Sequence, residues 1–479
     1  MDWDIVIGLE VHAQLKTKSK LFSGAATTFG ALPNSQTCFI DAGLPGVLPV
    51  LNEQAVVMAI QVGLAIGADI NDGSVFERKN YFYPDLPKGY QISQLQKPIV
   101  SNGSLPIGLA DGTIKTIEIV RAHLEEDAGK SLHEMHSNFS SIDLNRAGIP
   151  LLEIVTAPCL FSAEEVICYL KTLHQLLRFL GVCDGNMQEG SFRVDVNISL
   201  KPKGSATLGI RTELKNLNSF RFIEKAIACE YTRHEALLES QQSIKQETRL
   251  YNPDTNTTYA MREKQFENDY RYFPDPDLLP IQITRYQIAE IKSKLPDLPK
   301  DIYKQLSTLP GLNEEDILFV LSSPAAYRYY KDIKNCSYSS DKLIINWLKG
   351  PYAAALNDQN LSFEQPPMSA QTLAKLLNKL HEKVLSTSTA KTIFTELLST
   401  PEADIEAIIL REGHDTIACD QHLESIIKTL INQFPNQAAD YKAGKDKLLS
   451  FFVGQVMKQM QGKANPEVVS GVLKKYLDS

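Results

Sequence analysis

Four segments of this chain set charged or imidazole side chains at every second residue against an apolar background, and that alternation constrains the fold more than any other feature. In a β-strand successive side chains point to opposite faces. From Trp3 to Leu15 the odd positions (Trp3, Ile5, Ile7, Leu9, Val11, Ala13 and Leu15) are all apolar, so Glu10, His12 and Gln14 share the other face. From Val120 onward, Val120, Ala122 and Leu124 form the apolar set, and Arg121, His123 and Glu125 oppose it. Phe192, Val194, Val196, Ile198 and Leu200 alternate with Ser191, Arg193, Asp195, Asn197 and Ser199. Ile210, Thr212 and Leu214 alternate with Arg211, Glu213 and Lys215, and the turn-rich stretch 201–209 joins these last two strands as a hairpin. A second hairpin is predicted from Glu247–Tyr251 and Thr257–Arg262, which flank Asn252-Pro-Asp-Thr-Asn256.

One face of an antiparallel sheet commonly meets water, and a merely solvated face favours Thr, Ser and Lys. These four strands instead offer Glu10, His12, Glu125, Asp195 and Glu213, interspersed with Arg and Lys. Like charges facing one another across a sheet are unfavourable unless a cation lies between them. A carboxylate set with a histidine suits Mg²⁺, which prefers oxygen ligands and keeps substrate phosphates in its coordination sphere. The polar face therefore reads as a phosphoryl-transfer site built on a sheet. Two loops add to it. Residues 77–90 combine Arg78 and Lys79 with Tyr81, Phe82, Tyr83 and Tyr90 between prolines, a composition that can grip phosphate and stack a base; Asp269-Tyr-Arg-Tyr-Phe-Pro-Asp-Pro-Asp277 has the same character.

Other nucleotide motifs fail. Gly129-Lys130-Ser131 looks like the end of a P-loop, but Leu124 stands where its first Gly belongs, and no Gly-x-Gly-x-x-Gly occurs. No Ser/His/Asp or Cys/His nucleophile can be picked out. The seven cysteines include no Cys-x-x-Cys pair, which points away from a zinc knuckle or disulfide framework and toward a reducing cytoplasm. The net charge of −8 leaves any nucleic-acid surface local, and the most apolar stretch, residues 55–68, is too short to span a membrane.

The pattern changes along the chain. Strand-like segments punctuated by Pro, Gly and Asn dominate to about residue 290. Two helices interrupt them: one capped at Ser162-Ala-Glu-Glu165 and stopped at Gly181, another from about Phe220 to Glu239. From 291 the apolar period is helical, as in Glu314–Leu321, Lys342–Leu348 and Leu373–Leu385, with breaks at Pro366-Pro367 and Thr400-Pro401. The expected architecture is α+β: a sheet domain over 1–290, an all-α connector over 291–401 and an all-α tail over 402–479. From Lys442 the tail turns basic, with seven lysines against three acids.

Val6-Ile-Gly-Leu-Glu-Val-His12, Arg78-Lys-Asn-Tyr-Phe-Tyr-Pro-Asp85, Gln91-Ile-Ser-Gln94, His123-Leu-Glu-Glu-Asp-Ala-Gly-Lys130, Asp143-Leu-Asn-Arg146, Glu213-Leu-Lys-Asn-Leu-Asn-Ser219 and Asp269-Tyr-Arg-Tyr-Phe-Pro-Asp275 closely resemble the B subunits of the aspartyl/glutamyl-tRNA amidotransferases. The resemblance runs into the tail at Leu448–Asn465. It implies a cradle-shaped catalytic domain related to glutamine synthetase and guanidino kinases, then a helical domain and a tail similar to the YqeY family. It also implies the chemistry. The side-chain carboxylate of Glu-tRNA(Gln) or Asp-tRNA(Asn) is a poor electrophile; ATP activates it as an acyl phosphate, and ammonia converts that to the amide. Phosphoryl transfer depends on positioning and charge neutralisation. Glu10, His12, Glu125 and Asp195 are the catalytic and Mg²⁺ candidates, with Glu213 a further possible ligand. Lys79 is the first choice for a phosphate contact, followed by Arg78, Arg193 and Lys215. Lys442, Lys445, Lys447, Lys458 and Lys463 are expected on the tRNA backbone. The implied partners are an amidase (glutaminase) subunit, which releases ammonia from glutamine, and a small third subunit that holds the two together. The three would form a heterotrimer with no membrane contact and no zinc. Two other readings compete: a noncatalytic tRNA-binding scaffold, and a free-standing ligase acting on a small amino acid.

Overall fold

The segment Trp3–Gln14 (β1) is the central strand of a nine-stranded sheet. The others are β2 (Asp69–Ile70), β3 (Val100–Gly108), β4 (Ile114–Glu126), β5 (Pro150–Thr156), β6 (Phe192–Pro202), β7 (Thr212–Lys215), β8 (Glu247–Asn252) and β9 (Thr257–Glu263), in the spatial order β9-β8-β7-β6-β1-β5-β4-β3-β2. This is a computed structural model, and it describes residues 2–132, 139–263, 267–400, 403–442, 444–459 and 466–478. Both expected hairpin pairings, β6 with β7 and β8 with β9, are present and antiparallel. The cradle is expected as an antiparallel sheet, and one pair departs from that. β7 and β8 run parallel, with Glu213 opposite Thr248, because helix α3 (Phe220–Glu239) carries the chain back across the sheet between them.

The alternation in β1 sorts as expected: Ile7, Leu9, Val11 and Ala13 are buried in the core, and Glu10, His12 and Gln14 are half-exposed on the opposite face. β4 corrects the reading of its segment. Ile117 and Ile119 are fully buried and so are Ala122 and Leu124, a switch of parity produced where the pairing with β5 shifts register at Val155/Thr156. The extra residue of this bulge is Val120, which is 40% exposed instead of joining the apolar set. The bulge leaves Arg121, His123 and Glu125 on the polar face.

The apolar face packs on three helices. α1 (Glu53–Ala65) starts where the Asn52 side chain accepts from the Gln54 N–H. α2 (Ala163–Phe179) is capped by Ser162, whose Oγ accepts from the Glu165 N–H at 3.1 Å, and is followed by Gly181 at φ +72°, a left-handed position that glycine takes without strain. α3 is capped by Ser219 and joined to the strands beneath it through Glu230, which is fully buried. The Glu230 carboxylate accepts from Thr258 Oγ1 (2.8 Å), lies 3.1 Å from His234 Nε2 and 3.6 Å from Arg249 Nε, and is bound by Arg233. Burial opposes ionisation of Glu230, but the hydrogen bonds from His234, Arg233 and Thr258 outweigh it and hold the pKa down at about 2.

The chain divides into two units, Met1–Pro299 and Lys300–Ser479. Every described element of the second is helical, including Glu314–Val320, Pro324–Cys336, Asp341–Trp347 and Ala370–His381. At Leu348–Tyr352 the backbone widens into a π turn around Pro351, which has no N–H to donate to the ordinary ladder. The four helices Ile405–Gln433, Pro435–Lys442, Lys447–Gln459 and Pro466–Asp478 enclose their own apolar cluster, built on Ile427, Leu430, Phe452, Val456, Val469 and Leu473. No described helix is long and apolar enough to cross a membrane.

Candidate active site

Register places the polar side chains in rows across the sheet. One row runs His123, Glu153, His12, Arg193 over β4, β5, β1 and β6. In the row beside it, Glu10 of β1 stands directly opposite Asp195 of β6. Two carboxylates in that position repel, so the pair needs a positive charge near it. Lys215, on β7, supplies one: its ammonium is bound to Asp195 and lies 3.4 Å from Glu213, while Asn197 donates to Glu10 at 2.9 Å. Burial would favour the neutral amine at Lys215, but Asp195 and Glu213 outweigh it and raise its pKa.

The polar residues thus form two groups. Oxygens of Glu10, Asp195 and Glu213 lie within 4.8 Å of one another, and so do donor atoms of His12, Glu125 and Glu153. In the second group His12 Nε2 is 3.4 Å from Glu153 and 3.6 Å from Glu125, and His123 Nε2 is 3.2 Å from Glu153 and 3.7 Å from Glu125. Burial works against the imidazolium of His12, yet Glu153, Glu125 and Asp195 raise its pKa to about 9. The two histidines in turn outweigh the burial of Glu153 and hold its carboxyl well below the usual range. The first group offers only oxygen and suits Mg²⁺; the second, two carboxylates and one imidazole, also fits a hard divalent ion.

A cavity of about 980 Å³ lies against this face, with His12, Glu125 and Asp195 among its walls. Lys79, Arg193 and Lys215 also line it. Lys79 sits on the strand Glu77–Asn80, with its ammonium 5.0 Å from the centre of the Tyr270 ring. Burial would discharge Lys79, but Tyr272, Glu125 and Glu153 outweigh it and raise its pKa. Arg193 donates to Asp127 at 2.7 Å, and Asp127 also accepts from Gln14 at 3.1 Å and lies 3.7 Å from Arg146.

The sequence candidates therefore separate. Glu10, Asp195 and Glu213 come together, and His12 and Glu125 form the neighbouring group. Arg78 is not among the residues lining the cavity. Its guanidinium binds Asp275 (2.9 Å) and Asp277 (2.8 Å) and lies 4.1 Å over the Tyr90 ring, which clamps residues 273–277 onto the strand that carries Lys79. Lys442, Lys445, Lys447 and Lys458 are exposed on the tail helices and their connection, with Lys445 paired to Asp440 at 2.9 Å; Lys463 lies outside the described residues. Glu153 and Asp127 were missed. The signal for Glu153 was a lone carboxylate in the otherwise apolar run Leu151-Leu152-Glu153-Ile154-Val155, and Asp127 lies in the block His123–Lys130.

The sheet face lies within residues 5–289, which match the GatB/GatE catalytic domain, and residues 329–477 match the GatB domain. The chain is 69% identical over 477 residues to the aspartyl/glutamyl-tRNA(Asn/Gln) amidotransferase B subunit of Legionella pneumophila strain Philadelphia 1, with all of both chains covered. It is 52% identical to the proteins of that name from Thioalkalivibrio sulfidiphilus and Coxiella burnetii strain CbuG_Q212, again over all of both chains. The chain belongs to the family of aspartyl/glutamyl-tRNA(Asn/Gln) amidotransferase B subunits, components of a ligase-type aminoacyl-tRNA amidotransferase.

Proposed function

We propose that this sheet face transfers the γ-phosphoryl of ATP to the side-chain carboxylate of Glu-tRNA(Gln) or Asp-tRNA(Asn), and then presents the acyl phosphate to ammonia. The observation that carries the reading is the pair of acidic groups, side by side on one face and fringed by Lys79, Arg193 and Lys215. Mg²⁺ bound by Glu10, Asp195 and Glu213, and a second divalent ion bound by His12, Glu125 and Glu153, would neutralise phosphate charge. Lys79 is half-buried and charged, with its ammonium over the Tyr270 ring, so it orients phosphoryl oxygens without losing much side-chain freedom on binding. Lys215 ties Asp195 to Glu213, and with a metal on those carboxylates its ammonium would be left to meet phosphate oxygens. Arg193 is held in place by Asp127 and completes the cationic wall.

In the first step a carboxylate oxygen bonds to the γ-phosphorus as the bond to the β-phosphate oxygen breaks, and ADP leaves. In the second, the nitrogen of ammonia attacks the acyl carbon and loses a proton, while inorganic phosphate leaves with the electrons of the broken C–O bond. Residues 1–290 act as the family's cradle, with 291–401 as connector and 402–479 as the tRNA-gripping tail. The separate amidase supplies ammonia, and the small third component holds the cytoplasmic heterotrimer together.

The assembled complex tests this reading. With ammonium chloride in place of glutamine, amide formation on the misacylated tRNA should still require ATP and a divalent ion; ATP-independent amidation would contradict it. The tail adds a separate expectation. Replacing Lys442, Lys447 and Lys458 together with Gln should weaken tRNA binding by about tenfold near physiological salt and flatten the plot of log affinity against log salt by about 2–3, read by filter binding.

A further inference from the structure

Among the walls of the cavity is one large apolar ring that water still reaches: Phe29, 69% exposed. Its loop is not frayed. Asn34 donates from its backbone to Asp143 (3.0 Å) and from its side chain to the Ile142 carbonyl (2.8 Å), and accepts from the Leu144 N–H (2.8 Å). Asn145 answers by donating to the Leu32 carbonyl (2.7 Å) and accepting from the Gln36 N–H (2.8 Å). The other end is tied by the bridge between Ser19 and Ala26. A loop pinned on both sides thus presents an aromatic face at a polar cavity, where a solvated wall would carry Ser or Lys.

We infer that Phe29 is a stacking platform for the unpaired 3′-terminal base of the aminoacyl-tRNA. The inference rests on the function proposed above and deepens it. If the side-chain carboxylate reacts beside His12, Glu125 and Asp195, the nucleoside esterified to that amino acid is only a few bonds behind it and must lie along the cavity wall. That base has no pairing partner and offers a π-face, and an aromatic ring in water is the surface it stacks on. Phe29 sets where the ester-linked nucleoside stops, and so how far the carboxylate reaches toward the acidic groups. It is a positioning residue, with no part in bond making.

Kinetics of the assembled complex and equilibrium tRNA binding test the inference together. Phe29→Ala should raise KM for Glu-tRNA(Gln) about tenfold while leaving KM for ATP within about twofold, and Phe29→Trp should restore wild-type behaviour, as expected for stacking at 1–3 kcal/mol per base. A substrate lacking only its 3′-terminal base should bind the wild-type complex weakly and should lose nothing more to Phe29→Ala. A rise in KM for ATP would assign the ring to the adenine of the nucleotide and overturn the inference. Multiplying losses for the variant and the truncated substrate would overturn it as well, and so would loss of the partner chains on size exclusion. Equilibrium binding reads the stacking without the chemistry, so an assembly that binds tRNA in a Phe29-dependent way but forms no amide would sink the proposed function and leave this inference standing.

Discussion

Replacing Glu153 with alanine is expected to lower ATP-dependent amide formation on the order of a thousandfold while tRNA affinity stays within about twofold. Glu153 is the hub of its row. It is buried, contacts both His12 and His123, and shares a possible cation position with Glu125. Removing it leaves two imidazoles competing for Glu125 and takes away a charge that would stabilise bound metal where phosphoryl charge develops; loss of a preorganised electrostatic group in such a site typically costs two to three orders of magnitude. Glu153→Gln should be nearly as damaging, because it keeps the volume and loses the charge. Activity of either variant within tenfold of wild type would show that the second acidic group takes no part in the chemistry.

The second large effect is on stability. Glu230→Ala is expected to destabilise the first unit by about 3–5 kcal/mol, the usual consequence of removing one partner from a buried charge network. Arg233, Arg249 and His234 would keep their positive charges or polar atoms beneath α3 with one acceptor fewer. The pH dependence has a definite sign. The folded-state pKa of Glu230 is depressed from 4.5 to about 2, so the stabilisation is fully present above the ordinary carboxylate value and fades as the pH falls from about 4.5 toward 2. Urea unfolding of wild type and variant should therefore give a wide gap in midpoint at neutral pH and a narrower one at acid pH. A gap that does not change with pH would mean that the loss comes from packing, not from the ionised carboxylate.

Much of the site can be read in the sequence because β1 and β6 obey a strict period of two. Their alternation puts Glu10, His12, Arg193 and Asp195 on one face, and the register sets Glu10 opposite Asp195. Four features escaped for different physical reasons. β5 is central and almost wholly apolar, so Glu153 interrupts a buried run and gives no alternation to detect. In β4 the bulge moves Val120 out of the apolar set, and a bulge changes backbone geometry without changing composition. Arg78 and Lys79 are adjacent in a strand and so point to opposite faces; composition offered both as phosphate ligands, and only the fold sends Arg78 to Asp275 and Asp277 while Lys79 reaches the cavity. The parallel pairing of β7 and β8 escaped too, since nothing in either short strand records which way the chain returns from α3. His234, in a helix with no catalytic motif near it, turns out to brace α3 through Glu230 and Thr212.

The site on the sheet is tested most directly by withholding ammonia. The assembled complex would be given ATP labelled at the γ-phosphate, together with Glu-tRNA(Gln) and no glutamine, and any activated carboxylate trapped with hydroxylamine. Wild type should yield hydroxamate on the tRNA side chain with stoichiometric release of labelled phosphate, and the Glu153→Ala and Asp195→Ala variants should yield almost none although they still bind tRNA. Equal trapping by wild type and both variants would mean that the carboxylate is activated somewhere other than on this sheet.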